Sequence, residues 1–395
     1  MTANLALAAD PRFAHRSRQP GLDLLRAVAI VLVVFYHAGI FGFELPYDLQ
    51  RFGWIGVDLF FVLSGYLIAG QLIKSYARGQ IPSVPRFFWR RALRILPAYF
   101  VVLAIYVFLP WLREFPEMPP VWKFLSFVQN IGLRGGTAFS HAWSLCIEAQ
   151  FYLLLPFLLV IIMRLKRGGI ALPVVVLVGG IILRAAIAYF ISTDGTVPFR
   201  GFQRFVYYPT WPRLDPLTLG VSLAAIEQFR PRWWKKLTDS AVWLWLAALA
   251  VIIYGLYLGE GDHLTIATAI WQFPLIALGM TAFLVCAVSP KLPLQRVALP
   301  GSAFIASIAY SVYLSHKLAI HWVDGICKAH DLTPTSALAI LMVLVAIALT
   351  GIILFFSVER PFLQLRQRRA FDGRQADLTR RLGQQTPGTT SRNHH

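Results

Sequence analysis

An all-α polytopic membrane protein of about ten transmembrane helices is the fold class this sequence predicts, and three observations carry it. The 395 residues are 57% hydrophobic and 14% charged, with a mean hydropathy of +0.60; a soluble chain of this length needs more polar surface. Ten apolar runs approach the roughly 20 residues that a helix needs to cross a bilayer core. The basic residues also alternate between dense and sparse connections, with 26 of the 37 Lys and Arg in segments that fall on one side of the membrane.

The elements follow in order. Residues 1–21 carry Arg12, Arg16 and Arg18 directly before the first apolar run and offer no cleavage site after it. This pattern predicts a short cytoplasmic leader and not a signal peptide. Spans are expected near 22–43, 54–73, 95–112, 143–163, 170–190, 212–229, 241–258, 264–288, 302–323 and 336–357. The stretch "VWKFLSFVQNIG" at 121–132 is too short and polar to cross and reads as interfacial or re-entrant. Residues 364–395 read as a disordered cytoplasmic tail, because they are polar and nearly free of large apolar side chains.

With both termini inside, the outer connections hold only 7 Lys and Arg, as the positive-inside rule requires. The net charge of +18 is therefore a topology signal and gives no ground for expecting nucleic acid. Cys146, Cys286 and Cys327 show no metal-ligand or disulfide spacing, so no metal site is expected. No internal repeat of the kind common in transporters is visible.

Ionisable side chains at membrane depth are costly and default to a functional hypothesis. The stretch "RAVAIVLVVFYHAG" at 26–39 places Arg26 near the inner end of the first span and His37 in its outer half. Eleven residues at 100° return to within about 20° of one face and rise roughly 16 Å. Both side chains therefore point the same way, as one site at two depths or as a snorkelling arginine and a hydrogen-bonded core histidine. Asp58, near the outer end of the second span, reads as a helix N-terminal charge or as a catalytic carboxylate. Arg90, Arg91 and Arg94, in "RFFWRRALRILP", suit anionic lipid headgroups or a bidentate fork for a phosphorylated cytosolic ligand.

Ser144, Glu148 and Tyr152 recur every four residues and form one polar stripe. Glu148 needs a partner, and His37 lies at comparable depth. Arg213 and Asp215 cap the outer end of the sixth span, where they pair with each other or with a substrate. Tyr310, Tyr313 and His316 share a face of the ninth. Acidic groups and histidines thus collect in the outer half and arginines at the inner face, which suggests a cavity joining a cytosolic anionic ligand to chemistry on the far side. A transporter with a buried Arg/His/Glu relay fits these residues as well.

The motifs narrow the choice. "LRAVAIVLVVFYH", "GVDLFFVLSGYLI", "RRALRILP", "WSLCIEAQFYLLLP", "RLDPLTLG", "YSVYLSH" and "VERPF" occur in that order over about 22–363. At these residues the chain resembles the membrane acyltransferase-3 family of bacterial O-acyltransferases, which would make 22–363 one transmembrane acyltransferase domain in the inner membrane. The resemblance implies an acyl-CoA donor, acetyl-CoA foremost, used as a substrate and not as a resident cofactor, and a sugar or glycan hydroxyl as acceptor. It implies that His37 is catalytic with Arg26 its partner in the motif, that Glu148 is the motif's acidic residue, and that Arg91 and Arg94 contact the CoA phosphates. By position, Asp58 joins the catalytic candidates, Arg26 and Arg90 the phosphate-binding ones, and Ser144, Arg213, Asp215, Tyr313 and His316 the substrate-facing ones. Many relatives carry an additional C-terminal periplasmic domain of the SGNH type, whose contribution is here expected to be absent or supplied by a separate periplasmic partner.

Overall fold

The computed structural model describes residues 19–164, 168–260 and 263–366. The expected leader and tail lie largely outside them. Ten long helices form nearly the whole fold. They are α1 (Pro20–Ile40), α2 (Gly56–Ala77), α3 (Val84–Phe108), α4 (Trp143–Arg164), α5 (Gly168–Ile191), α6 (Asp215–Phe229), α7 (Ala241–Tyr257), α8 (Ile266–Val288), α9 (Ser302–Ala329) and α10 (Ala337–Leu354).

Among the described residues, eight helices are long and apolar enough to cross a membrane, and a ninth span is possible if Pro231–Asp239 and α7, bent by 73°, count as one. The expected tenth is α6. Its 15 residues rise only about 22 Å, less than a hydrocarbon core of roughly 30 Å. It nonetheless sits deep in the protein, held by α2, α5 and α8.

Two departures from expectation matter. Helix α3 begins at Val84, about ten residues before the predicted third span, because Ser83 caps it by accepting a bond from Arg86 N at 3.4 Å and Pro85 fits its first turn. The arginine-rich stretch is therefore helical and held against the bundle, not a loop. The fold is also not purely helical: Thr196–Val197 pairs antiparallel with Leu264–Thr265, tying two connections together at the end of the bundle that carries His37. The 121–132 stretch forms the short helix Val121–Leu125 followed by turns, and it tucks Phe124 and Asn130 fully inside.

Small residues set the closest helix contact. A Cβ placed on Gly65 of α2 would lie 2.2 Å from the Leu217 carbonyl oxygen of α6, and one on Gly220 would lie 2.3 Å from the Val62 carbonyl oxygen. Only glycine allows these backbones to meet. Helix α1 packs on α9 and α2, so its polar face looks into the middle of the bundle.

Candidate active site

Two cavities open along α1. The first, of about 550 Å³, is lined by Asp23 and Arg26 of α1, Ser64 and Gln71 of α2, Arg91 and Arg94 of α3, and Ser144, Glu148 and Tyr152 of α4. The second, of about 1020 Å³, takes in His37 at the other end of α1 together with His141, Trp143, Tyr207 and Lys317. Arg26 and His37 thus share one helix but open into two separate spaces, whereas the eleven-residue interval on one face suggests a single cavity at two depths.

In the first cavity Arg26 pairs with Asp23 at 3.2 Å. Arg94 pairs with Glu359, whose second oxygen accepts from Ser311 Oγ at 2.6 Å. Arg91 bonds Gln71 weakly at 3.4 Å, and its Nε is buried with no hydrogen-bond partner. It is the arginine with most capacity left for an anion. Arg90 is not among the residues that line the cavity. Glu148 accepts from Ser64 Oγ at 2.6 Å and from Tyr152 OH at 3.1 Å.

Three imidazoles cluster at the second cavity: His37 and His141 line it, while His316, expected to face the substrate, is fully buried behind them. The ring centroids of His37 and His316 are 4.8 Å apart, those of His141 and His316 4.9 Å, and those of His37 and His141 6.3 Å. Each ring faces a backbone carbonyl, and a carbonyl only accepts, so the facing nitrogen carries the hydrogen. His37 Nδ1 donates to Val33 O at 2.9 Å, His316 Nδ1 to Tyr313 O at 2.7 Å, and His141 Nε2 to Leu314 O at 3.2 Å. The other nitrogen of each neutral ring then presents a lone pair. For His141 Nδ1 and His316 Nε2 that lone pair is buried without a hydrogen-bond partner, whereas His37 is half-buried and lines the cavity. Among the described residues no cluster of His, Cys, Asp or Glu has an arrangement able to hold a metal ion.

A thin hydrogen-bonded layer separates the two spaces. Tyr313 OH donates to the His141 carbonyl at 2.6 Å, so Ser144 Oγ, also 2.6 Å away, donates to the phenol oxygen. Ser144 and Tyr313 face the first cavity, and His141 and Trp143 face the second.

Three expectations need correction. Glu148 does not orient His37: its oxygens are bonded to Ser64 and Tyr152 in the other cavity, and the Val33 carbonyl one helical turn back holds the ring instead. Arg213 and Asp215 do not pair with each other. Arg213 bonds Asp58 at 3.1 Å and stacks 3.6 Å above the Phe273 ring, while Asp215 takes Arg184 at 2.5 Å. All four side chains are at most 2% exposed and line neither cavity, so Asp58, Arg213 and Asp215 hold helices together through buried ion pairs.

Several further residues acquire partners that only the fold reveals. Arg184 was one charge in a long apolar run. Lys317, next to His316, pairs with Glu114 at 3.1 Å across the fold. His141 opens the "HAWSL" stretch and Glu359 lies in "VERPF"; both were in view, and only the fold shows what they meet.

Family comparison decides the class. An acyltransferase domain model, that of the acyltransferase-3 family, matches residues 19–357. The chain belongs to that family. Acyltransferase-3 relatives include the peptidoglycan O-acetyltransferase OatA of Listeria monocytogenes, 33% identical over 232 residues, which are 54% of this chain and 35% of the relative. A putative O-acetyltransferase of Staphylococcus aureus strain COL is 29% identical over 338 residues, 78% of this chain and 52% of the relative. The O-acetyltransferase OatA of Staphylococcus aureus strain NCTC 8325 is 28% identical over 332 residues, covering 78% and 51%. The chain spans about half or less of the length of these relatives. No solved structure matches this acyltransferase.

Proposed function

We propose that this acyltransferase moves an acetyl group from acetyl-CoA, bound from the cytoplasmic side in the arginine-lined cavity, to a sugar hydroxyl in the histidine-lined cavity. The observation that carries the reading is the pair of cavities along α1, one basic and one holding His37, meeting at the Tyr313–Ser144–His141 layer. The relatives' names give O-linked acetyl as the group, and one of them names a glycan, peptidoglycan, as its acceptor.

Each part of the chain has a task in this reaction. Arg91, with Arg26 and Arg94 beside it, holds the phosphates, since a guanidinium fork matches phosphate oxygens two at a time. The pantetheine arm reaches towards Tyr313. His37, fixed with Nδ1–H on the Val33 carbonyl, takes the acceptor hydroxyl's proton on Nε2. The oxygen then attacks the thioester carbonyl, and the C–S bond breaks as the tetrahedral intermediate collapses. The proton passes to the departing sulfur and leaves a neutral thiol. His316 and His141 pack their rings around His37, while Glu148, bonded to Ser64 and Tyr152, shapes the donor cavity.

The test uses purified chain in lipid discs with isotopically labelled acetyl-CoA and isolated envelope glycan. His37→Gln is expected to abolish transfer while leaving acetyl-CoA binding intact; full transfer by this variant removes His37 from the chemistry. Arg91→Ala with Arg94→Ala is expected to weaken acetyl-CoA binding at least tenfold, given roughly 1.5–3 kcal/mol per charge-assisted bond. Unchanged affinity would place the donor elsewhere.

A further inference from the structure

The connections at the His37 end of the bundle hold seven basic residues. Four have partners within the chain: Arg51 with Glu260, Arg113 with the Tyr106 and Val107 carbonyls, Lys123 with the Ile131 carbonyl, and Lys328 with Asp324. The remaining three, Arg134, Arg200 and Arg204, are exposed and form no ion pair among the described residues, Arg204 resting only over the ring of its neighbour Phe205. They come from two different connections, yet all three line the histidine-lined cavity.

Among the described residues, no Asp or Glu lines that cavity. Lys317, in its wall, has its charge met from behind by Glu114. The arginine-lined cavity is different, since Asp23 and Glu148 stand among its cations. Like charges gathered on one cavity repel one another, and basic residues are disfavoured on an outward face. Local packing would satisfy these guanidiniums one by one, as it does the other four cations. An anion delivered into the cavity would satisfy all three together. The remaining wall is aromatic, with Trp54, Trp143, Tyr207 and Phe199 among its members, and flat apolar rings suit the C–H faces of a sugar.

Building on the acetyl-transfer reading, we propose that the acceptor is an anionic glycan, whose carboxylate or phosphate is gripped by Arg134, Arg200 and Arg204 while the aromatic wall holds its sugar rings. This makes charge the property by which the cavity selects its acceptor. The acetylated hydroxyl lies near His37, and the anionic group lies towards the mouth.

The experiment compares three tetrasaccharide probes with one backbone: neutral, bearing one uronic acid carboxylate, and bearing one phosphate monoester. Binding to the purified full chain is measured by calorimetry, and acetyl transfer is measured in parallel. At least one charged probe is expected to bind about tenfold or more tightly than the neutral one, with an advantage that shrinks as salt rises. The tighter charged probe identifies the group. The Arg134→Gln, Arg200→Gln, Arg204→Gln variant is expected to bind all three alike.

Equal binding of neutral and charged probes by the unmodified chain, or a charge preference that survives in the triple variant, overturns the proposal. The first comparison needs no variant, so misfolding cannot conceal the answer. A charge preference without acetyl transfer to any probe would leave the anion site standing and remove the transfer reading. Transfer to the neutral probe with no charged advantage would do the reverse.

Discussion

Replacing Asp58 with alanine removes one half of an ion pair that has no exposed surface. Arg213 Nη2 lies 3.1 Å from the carboxylate, and both side chains are 0% exposed. Breaking a buried pair from one side costs about 3–5 kcal/mol, because the remaining charge loses its counter-ion where water cannot replace it. Here Arg213 keeps the faces of Phe273, Tyr207 and Trp143, at 3.6, 5.3 and 5.7 Å, and such desolvated contacts are worth about 2 kcal/mol. The low end of the range follows, about 3 kcal/mol, or more than a hundredfold in the unfolding equilibrium. The double variant Asp58→Leu with Arg213→Met, which removes both charges, should recover most of that loss. Equilibrium unfolding in mixed micelles measures both, with acetyl transfer assayed on the same samples. If Asp58→Ala unfolds like the unmodified chain yet loses transfer, the carboxylate acts in the chemistry and the clamp interpretation is wrong.

Three further outcomes are expected. Lys317→Met leaves the buried Glu114 carboxylate without its cation and should destabilise the chain by about 3–5 kcal/mol, with partial rescue by adding Glu114→Gln; absence of rescue in unfolding experiments would refute the pairing. Gly65→Ala must push a helix away from the Leu217 carbonyl and should cost about 1–3 kcal/mol, whereas Gly70→Ala, whose added carbon meets only the Ala224 methyl at 3.7 Å, should be neutral or slightly stabilising. Equal unfolding midpoints for the two would contradict the packing described. Tyr313→Phe removes the bonds to Ser144 and the His141 carbonyl and should raise thiol release from acetyl-CoA without acceptor, as water crosses between the cavities; an unchanged rate would show that the layer is not the seal.

Much of the architecture was legible because membrane helices advertise themselves by composition. The intervals of α4, α5 and α7 fall within a few residues of expectation, and the Arg26–His37 interval gave the depth separation directly. What escaped was whatever depends on long-range meeting. Arg213 and Asp215 are neighbours in sequence, but they project differently from the turn that starts α6, and each finds a partner on another helix. Lys317 and Glu114 are two hundred residues apart in outline and in contact in space. Counting residues along the spans put Glu148 at a depth near that of His37, and such a count could not show that α4 turns it into the other cavity. The early start of α3 was hidden because its first turns are basic, although Ser83 and Pro85 are ordinary helix-start signals.

The hydrogen-bonded layer between the cavities also has an electrical meaning. If water fills both spaces, the membrane voltage falls across little more than Tyr313, Ser144 and the His141 backbone. Moving one unit charge through that drop costs or yields about 2.3 kcal/mol per 100 mV. In the proposed reaction the acetyl group crosses one way and the hydroxyl's proton crosses the other, to the sulfur. Hydroxyl, thioester, ester and thiol are all uncharged at the reacting atoms and the donor's phosphates stay with the arginines, so that exchange would move no net charge through the field and would run equally well in an energised cell and in a depolarised one.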